Sequence, residues 1–130
     1  MTKRIFICDD EPDIIELIAT LLELEFDEIE IDKFDNSEQG LEYLKNGGQE
    51  YSLIISDLNM PGVSGVDIFN YNSQSKNTPM ILISGDDSPS GVFTKEFIQE
   101  FSDSNTKNKI IVKPWGDDEF MGLITDLLAS

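Results

Sequence analysis

A continuous apolar run that ends on a carboxylate and then on a proline-glycine turn leaves a chain few ways to fold. Residues 51–65, YSLIISDLNMPGVSG, have that form. Leu53-Ile54-Ile55 is β-branched-rich and lacks the polar alternation of a half-exposed strand, so it reads as a strand buried on both faces. Asp57 stands at its carboxyl end. Met60-Pro61-Gly62 makes a turn, because proline fixes φ and glycine tolerates conformations other residues avoid. Ser64 can cap the helix that follows. Asp57 is therefore presented at a strand-to-loop edge, where open parallel α/β sheets bind their ligands.

The rest of the chain repeats the pattern. Ile5-Phe6-Ile7-Cys8 is a short apolar run that meets Asp9-Asp10-Glu11-Pro12, with Pro12 suited to the first turn of a helix and the acids to its N-terminus. Ile14, Leu17, Ile18, Leu21 and Leu22 then recur at helical spacing and mark the first helix. Residues 28–34 alternate Ile29 and Ile31 with acids, as a half-exposed strand near a sheet edge does. Ser37 to Leu44, stopped by Gly47-Gly48, reads as a second helix. The third helix, from about Ser64 to Ser75, carries Val66, Ile68 and Phe69 and then runs into NYNSQSKN, so it is expected to be short. Pro79 opens the buried strand MILIS, which ends on Ser84. Phe93, Phe97, Ile98 and Phe101 predict a fourth helix, residues 102–109 a polar connection, and Ile110-Ile111-Val112 a strand ending in Lys113-Pro114. Phe120, Leu123, Ile124, Leu127 and Leu128 give a fifth helix. Five strands alternating with five helices indicate right-handed βαβ crossovers and one parallel sheet. Trp115 and the Phe93/Phe97/Phe101 stripe are read as packing.

Composition narrows what such a domain can do. At 130 residues the chain makes one domain, 1–130. With 9 Lys and Arg against 26 Asp and Glu, the formal net charge is -17. That charge argues against nucleic acid and against anionic membrane surfaces as partners. Histidine is absent, which removes every imidazole mechanism, and the single cysteine, Cys8, excludes an internal disulfide and a thiolate zinc site. Four apolar residues before an acidic pair are too few for a signal-peptide core, and no apolar run approaches a membrane span. The expected location is the cytoplasm.

On a parallel sheet Asp9-Asp10, Asp57, Ser84 and Lys113 all fall at the carboxyl edge of buried strands. Each has a plain explanation alone: acids complementing a helix dipole, a turn-forming aspartate, a satisfied hydroxyl, a solvated lysine. Their coincidence at four strand ends carries more. Carboxylates gathered in a hollow repel one another unless a cation is bound. Oxygen donors without histidine suit a hard ion, Mg²⁺ before Ca²⁺. With a lysine and a hydroxyl beside them, Asp57 could attack phosphorus and hold an acyl phosphate.

ICDDEPD after the first strand, IISDLNMPGVSG around Asp57, LISGD after the fourth strand and VKPW after the fifth occur here in that order. In this the chain resembles a response regulator receiver domain of two-component signalling, over essentially its whole length. The resemblance implies a flavodoxin-like (βα)5 three-layer sandwich with strand order 2-1-3-4-5, an arrangement for which a receiver protein is a standard example. It implies Asp57 as phosphoacceptor, Asp10 as a direct Mg²⁺ ligand, Asp9 acting through water, and the backbone carbonyl of Asn59 completing the metal contacts. Ser84 and Lys113 would bind phosphoryl oxygens, the Lys113-Pro114 bond would be cis, and Asn59 and Asp86 would tune the lifetime of the phosphate. The implied partners are a histidine kinase or phosphotransfer protein and a downstream protein target, and the domain is a signalling switch rather than an enzyme.

Two features depart from the family pattern. Ile110 occupies the switch position, three residues before Lys113, where an aromatic is common, and SDSNTKNK replaces the usual small residues before the fifth strand. The rival readings are a phosphorylation-independent interaction module and a haloacid-dehalogenase-type phosphatase. The phosphatase requires a second aspartate two residues after the nucleophile, and that position here is Asn59. A flavodoxin would set Asp9 and Asp10 against its flavin phosphate. No DNA-binding or catalytic effector segment is recognisable, so if the chain is a stand-alone regulator rather than a receiver cut from a longer one the expected output is a protein contact, with oligomeric state open.

Overall fold

The computed structural model describes residues 2–85, 94–113 and 116–129. Strands and helices alternate: β1 (Lys3–Cys8), α1 (Pro12–Glu25), β2 (Ile29–Phe34), α2 (Ser37–Asn46), β3 (Leu53–Asp57), α3 (Gly65–Ser73), β4 (Met80–Ser84), α4 (Lys95–Ser104), β5 (Lys109–Val112) and α5 (Asp117–Ala129). The five strands form one parallel sheet in the order β2-β1-β3-β4-β5, as the sequence pattern and the resemblance led us to expect. The switch in winding lies between β1 and β3, the crevice position at which doubly wound sheets place their sites.

Burial on both faces explains the unbroken apolar runs. Ile5, Ile7, Ile55 and Ile83 pack with Ile18, Leu22, Phe120 and Ile124 of α1 and α5, while Phe6, Cys8, Ile54 and Leu82 pack with Ile68, Phe69 and Phe101 of α3 and α4. Alternate residues of one strand thus serve two cores, and each fully buried Ile or Phe contributes about 1.5–3 kcal/mol by leaving water.

Local chemistry sets most of the ends. Pro12 begins α1, with Glu11 as an N-cap that makes no side-chain bond. Ser64 caps α3 in a reciprocal box with Asp67, and α3 is short as expected. Two details differ from the sequence reading. Of the apolar residues that mark α1, Ile18 and Leu22 are buried together with Ile15 and Ala19, while Ile14 and Leu21 are half-buried and Leu17 is 41% exposed. The polar connection read at 102–109 shrinks to 105–108, since α4 continues to Ser104 and β5 starts at Lys109; Ile98 of the α4 stripe is 41% exposed. The second helix begins at Ser37 as read, capped by Asn36, which accepts from the Gln39 N–H.

The polar stretches that looked least structured are tied together by asparagine side chains. Asn108, buried, accepts from the Met80 N–H at 2.8 Å and donates to the Phe101 carbonyl at 2.9 Å. Asn72 pairs with both backbone groups of Thr78, and Asn77 and Asn105 donate across to the Ser104 and Asn77 carbonyls. These bonds satisfy buried backbone groups that no ladder reaches, and they anchor β4 and β5 from the edge opposite the acids.

Candidate functional site

The sheet ladders run one residue past the strands and so aim the functional side chains. The Asp9 N–H donates to the Phe34 carbonyl, the Leu58 N–H to Ile83 and the Lys113 N–H to Ser84. Cys8 pairs with Ser56, Asp57 with Ile83 and Ile83 with Ile111 in register, so Asp9 and Asp57 emerge at one level and Lys113 stands two residues beyond it on β5. Gly65 lets α3 start directly against this edge: a Cβ there would lie 2.5 Å from the Asp57 carbonyl oxygen and 2.9 Å from Leu58 Cα. Gly62 turns the preceding loop with φ of 78°, and the Ser37 hydroxyl holds the Pro61 carbonyl.

One carboxylate oxygen each from Asp9, Asp10 and Asp57 lie within 4.8 Å of one another. Asp9 and Asp57 are buried and Asp10 is exposed. Lys113 Nζ stands 3.6 Å from Asp9 Oδ2, 3.6 Å from Asp57 Oδ2 and 4.0 Å from Glu11 Oε1. Asp9 divides its work between two oxygens. Oδ1 accepts the Glu11 N–H at 2.8 Å, fixing the turn into α1, while Oδ2 is buried without a hydrogen-bond partner.

Burial lifts the Asp9 carboxyl from 3.8 to about 6, although the Glu11 N–H and Lys113 counter the repulsion from Asp57 and Asp10. Burial also raises Asp57, against the pull of Lys113 and of the Asn59 and Leu58 amides. One ammonium among three carboxylates leaves room for a cation, and Asp9 Oδ2, buried and without a hydrogen bond, lies in the cluster. The donor set is all oxygen, so the residues fit Mg²⁺.

Of the other residues singled out from the sequence, Ser84 is buried at the end of β4 and donates its hydroxyl to the Gly85 carbonyl at 2.8 Å rather than into the hollow. Asn59 is exposed beside the acceptor, and its amide faces Asp57. Ile110 is half-buried against the core on the α3 and α4 side. Asp86, Phe93, Trp115 and the Lys113-Pro114 bond lie outside the described residues. Two contributors were not singled out from the sequence: Glu11 as a partner of Lys113, and Gly65 as the close-approach position. The run DDE hinted at the first. Nothing local signals the second, because the group that a Cβ would strike belongs to another element.

A flavodoxin-like α/β domain with a cation-hungry acid cluster and a lysine at its switch point is the class that this geometry defines. A family model for the response regulator receiver domain matches residues 5–125, and the chain belongs to that family. It is 30% identical over 128 residues to the response regulator ArlR of Staphylococcus saprophyticus, covering 98% of this chain and 53% of ArlR. It is 29% identical over 81 residues to a CpxR homolog of Haemophilus influenzae described as a transcriptional regulatory protein, of which it covers 34%. The chain thus spans about half or less of these curated relatives. Among solved structures, the response regulator TrrA of Thermotoga maritima, in complex with Mg²⁺-BeF, matches with 29% identity and a TM-score of 0.73, covering 98% of this chain and 100% of TrrA. A signal receiver domain from an HD domain-containing protein of Pseudomonas fluorescens shares the fold at 21% identity, TM-score 0.78, covering 99% and 96% of the two chains. Receiver domains are signalling domains that accept a phosphoryl group, and no helix among the described residues is long and apolar enough to cross a membrane.

Proposed function

We propose that this receiver takes a phosphoryl group from the phosphohistidine of a kinase or phosphotransfer protein onto a carboxylate oxygen of Asp57. The observation that carries this reading is Asp57 itself: a buried carboxylate with a raised pKa, 3.6 Å from an ammonium and beside two further acids. An Asp57 oxygen forms the new bond to phosphorus as the bond to the donor nitrogen breaks, and the donor imidazole keeps the electron pair. Lys113 turns from paired carboxylates to a phosphoryl oxygen, the Leu58 and Asn59 amides hold the nucleophile in place, and the Ser84 hydroxyl exchanges Gly85 for a phosphoryl oxygen. Asp10, Asp57 and the Asn59 carbonyl would hold Mg²⁺, with Asp9 alongside, and the ion would supply positive charge to the phosphoryl oxygens during transfer.

Lys113 and Ser84 hold β5 and β4 to this site, so their reorientation biases a two-state equilibrium that a downstream protein reads. With Ile110 at the switch position, that readout does not use an aromatic rotamer there. Asn59, beside the acceptor, orients water and gives a short-lived phosphate, a tuning role that the family resemblance also assigns to Asp86; decay taking many hours would contradict this. The test is labelling with a small phosphodonor and Mg²⁺. Wild type gains one hydroxylamine-sensitive phosphoryl group and Asp57→Asn gains none, whereas a label that survives in the variant overturns the assignment. A wild type that stays unlabelled while folded favours the phosphorylation-independent module.

A further inference from the structure

The end of β2 and the outer flank of α2 enclose an open groove of about 630 Å³ that the phosphoacceptor chemistry does not use. Its floor is aromatic. Phe34 and Tyr43 are half-buried with ring centroids 5.2 Å apart and planes tilted by 44°. Gly47 keeps the Tyr43 ring uncovered, since a Cβ there would meet the Tyr43 carbonyl at 2.6 Å and ring carbons at 3.1 and 3.2 Å. The rim is acidic: Glu38 and Glu42, one turn apart on α2, both line it and both are exposed. Asn46 donates to Glu42 Oε1 at 2.8 Å and leaves the second oxygen of that carboxylate unclaimed. Among the described residues neither glutamate pairs with a lysine or arginine.

We propose that this groove is a docking site for a basic segment of a partner protein, with an arginine or lysine stem lying over Phe34 and Tyr43 and its cation between Glu38 and Glu42. Aromatic faces attract cations, and a flat guanidinium stacks on them while its N–H groups reach carboxylates. Charge complementarity selects this occupant. A second copy of the chain carries a net charge of -17, with 9 Lys and Arg against 26 Asp and Glu. Copies therefore repel across this groove, as would any anionic ligand. Glu38 also lines a neighbouring hollow of about 240 Å³ shared with Asp10 and Asp35, so a segment seated here extends toward the mouth of the acidic site.

The probe is the peptide acetyl-Gly-Arg-Leu-Arg-Gly-amide, titrated into the full chain and followed by nuclear magnetic resonance, with the Arg→Glu peptide as control. The expected result is saturable shifts centred on Phe34, Tyr43 and Gly47, about fivefold weaker binding in Glu38→Gln/Glu42→Gln and loss in Tyr43→Ala. The same charge change on α1, Glu23→Gln/Glu25→Gln, leaves the affinity unaltered. Asp57→Asn binds as wild type does, so this result stands apart from phosphoacceptor activity. Shifts that never saturate, or equal weakening by the α2 and α1 pairs, would overturn the proposal.

Discussion

Replacing Asp9 by asparagine should stabilise the metal-free protein. The Asp9 carboxyl is 1% exposed and its pKa rises from 3.8 to about 6 on folding, chiefly through burial. A raised acid pKa means that the folded state binds the proton more tightly, so the associated stability is present below 3.8 and is lost as pH rises through about 6. At about 1.4 kcal/mol per tenfold change in proton affinity, the full loss is about 3 kcal/mol. Asparagine imitates the neutral carboxyl, and its oxygen can keep the 2.8 Å bond from the Glu11 N–H. The attraction to Lys113 is already contained in that shift. In chelator, urea unfolding near pH 7.5 should place Asp9→Asn about 3 kcal/mol above wild type, and near pH 5 about half of that. Saturating Mg²⁺ should stabilise wild type more than the variant and narrow or reverse the gap. A variant less stable than wild type in chelator, or a gain that does not change with pH, would refute the reasoning.

Three other outcomes follow from packing and polarity. Asn108→Ala leaves the Met80 N–H and the Phe101 carbonyl without partners and should cost about 3 kcal/mol in the same unfolding assay. Gly65→Ala drives a Cβ into the Asp57 carbonyl and Leu58; it should destabilise by about 1–3 kcal/mol and slow labelling of Asp57 by the small phosphodonor. Burial, reinforced by Asp9 and Asp57, pushes the Cys8 thiol up to about 12, so native protein should resist thiol reagents near pH 8 and react at once when unfolded.

The strands, the turn after β3 and the acids at the sheet edge were legible because their signals are local. An apolar run, a Pro-Gly pair and a serine cap each act within a few residues. The buried face of α1 was not legible. Ile14, Leu17, Leu21 and Leu24 make one helical stripe and Ile15, Ile18 and Leu22 another, and hydrophobicity alone does not rank them. Packing against Ile5 and Ile55 selects the second, where small Ala19 fits, and leaves Leu24 80% exposed. Asn72, Asn77, Asn105 and Asn108 read as loop residues for a related reason, since their partners lie on separate elements, up to 28 residues away. At the site, the residue types pointed to a phosphoryl group and a cation. The division of Asp9 between a turn and the hollow, and the Ser84 hydroxyl resting on Gly85, required coordinates.

The most direct test of the central claim is to trap the acyl phosphate. After reaction with phosphodonor and Mg²⁺, borohydride reduction converts a phosphorylated aspartate to homoserine, which peptide mass mapping then locates. Homoserine at position 57 alone, and only when Mg²⁺ is present, is the predicted result; homoserine at position 9 or 10 instead, or none in a folded protein, would contradict the assignment of Asp57 as the acceptor.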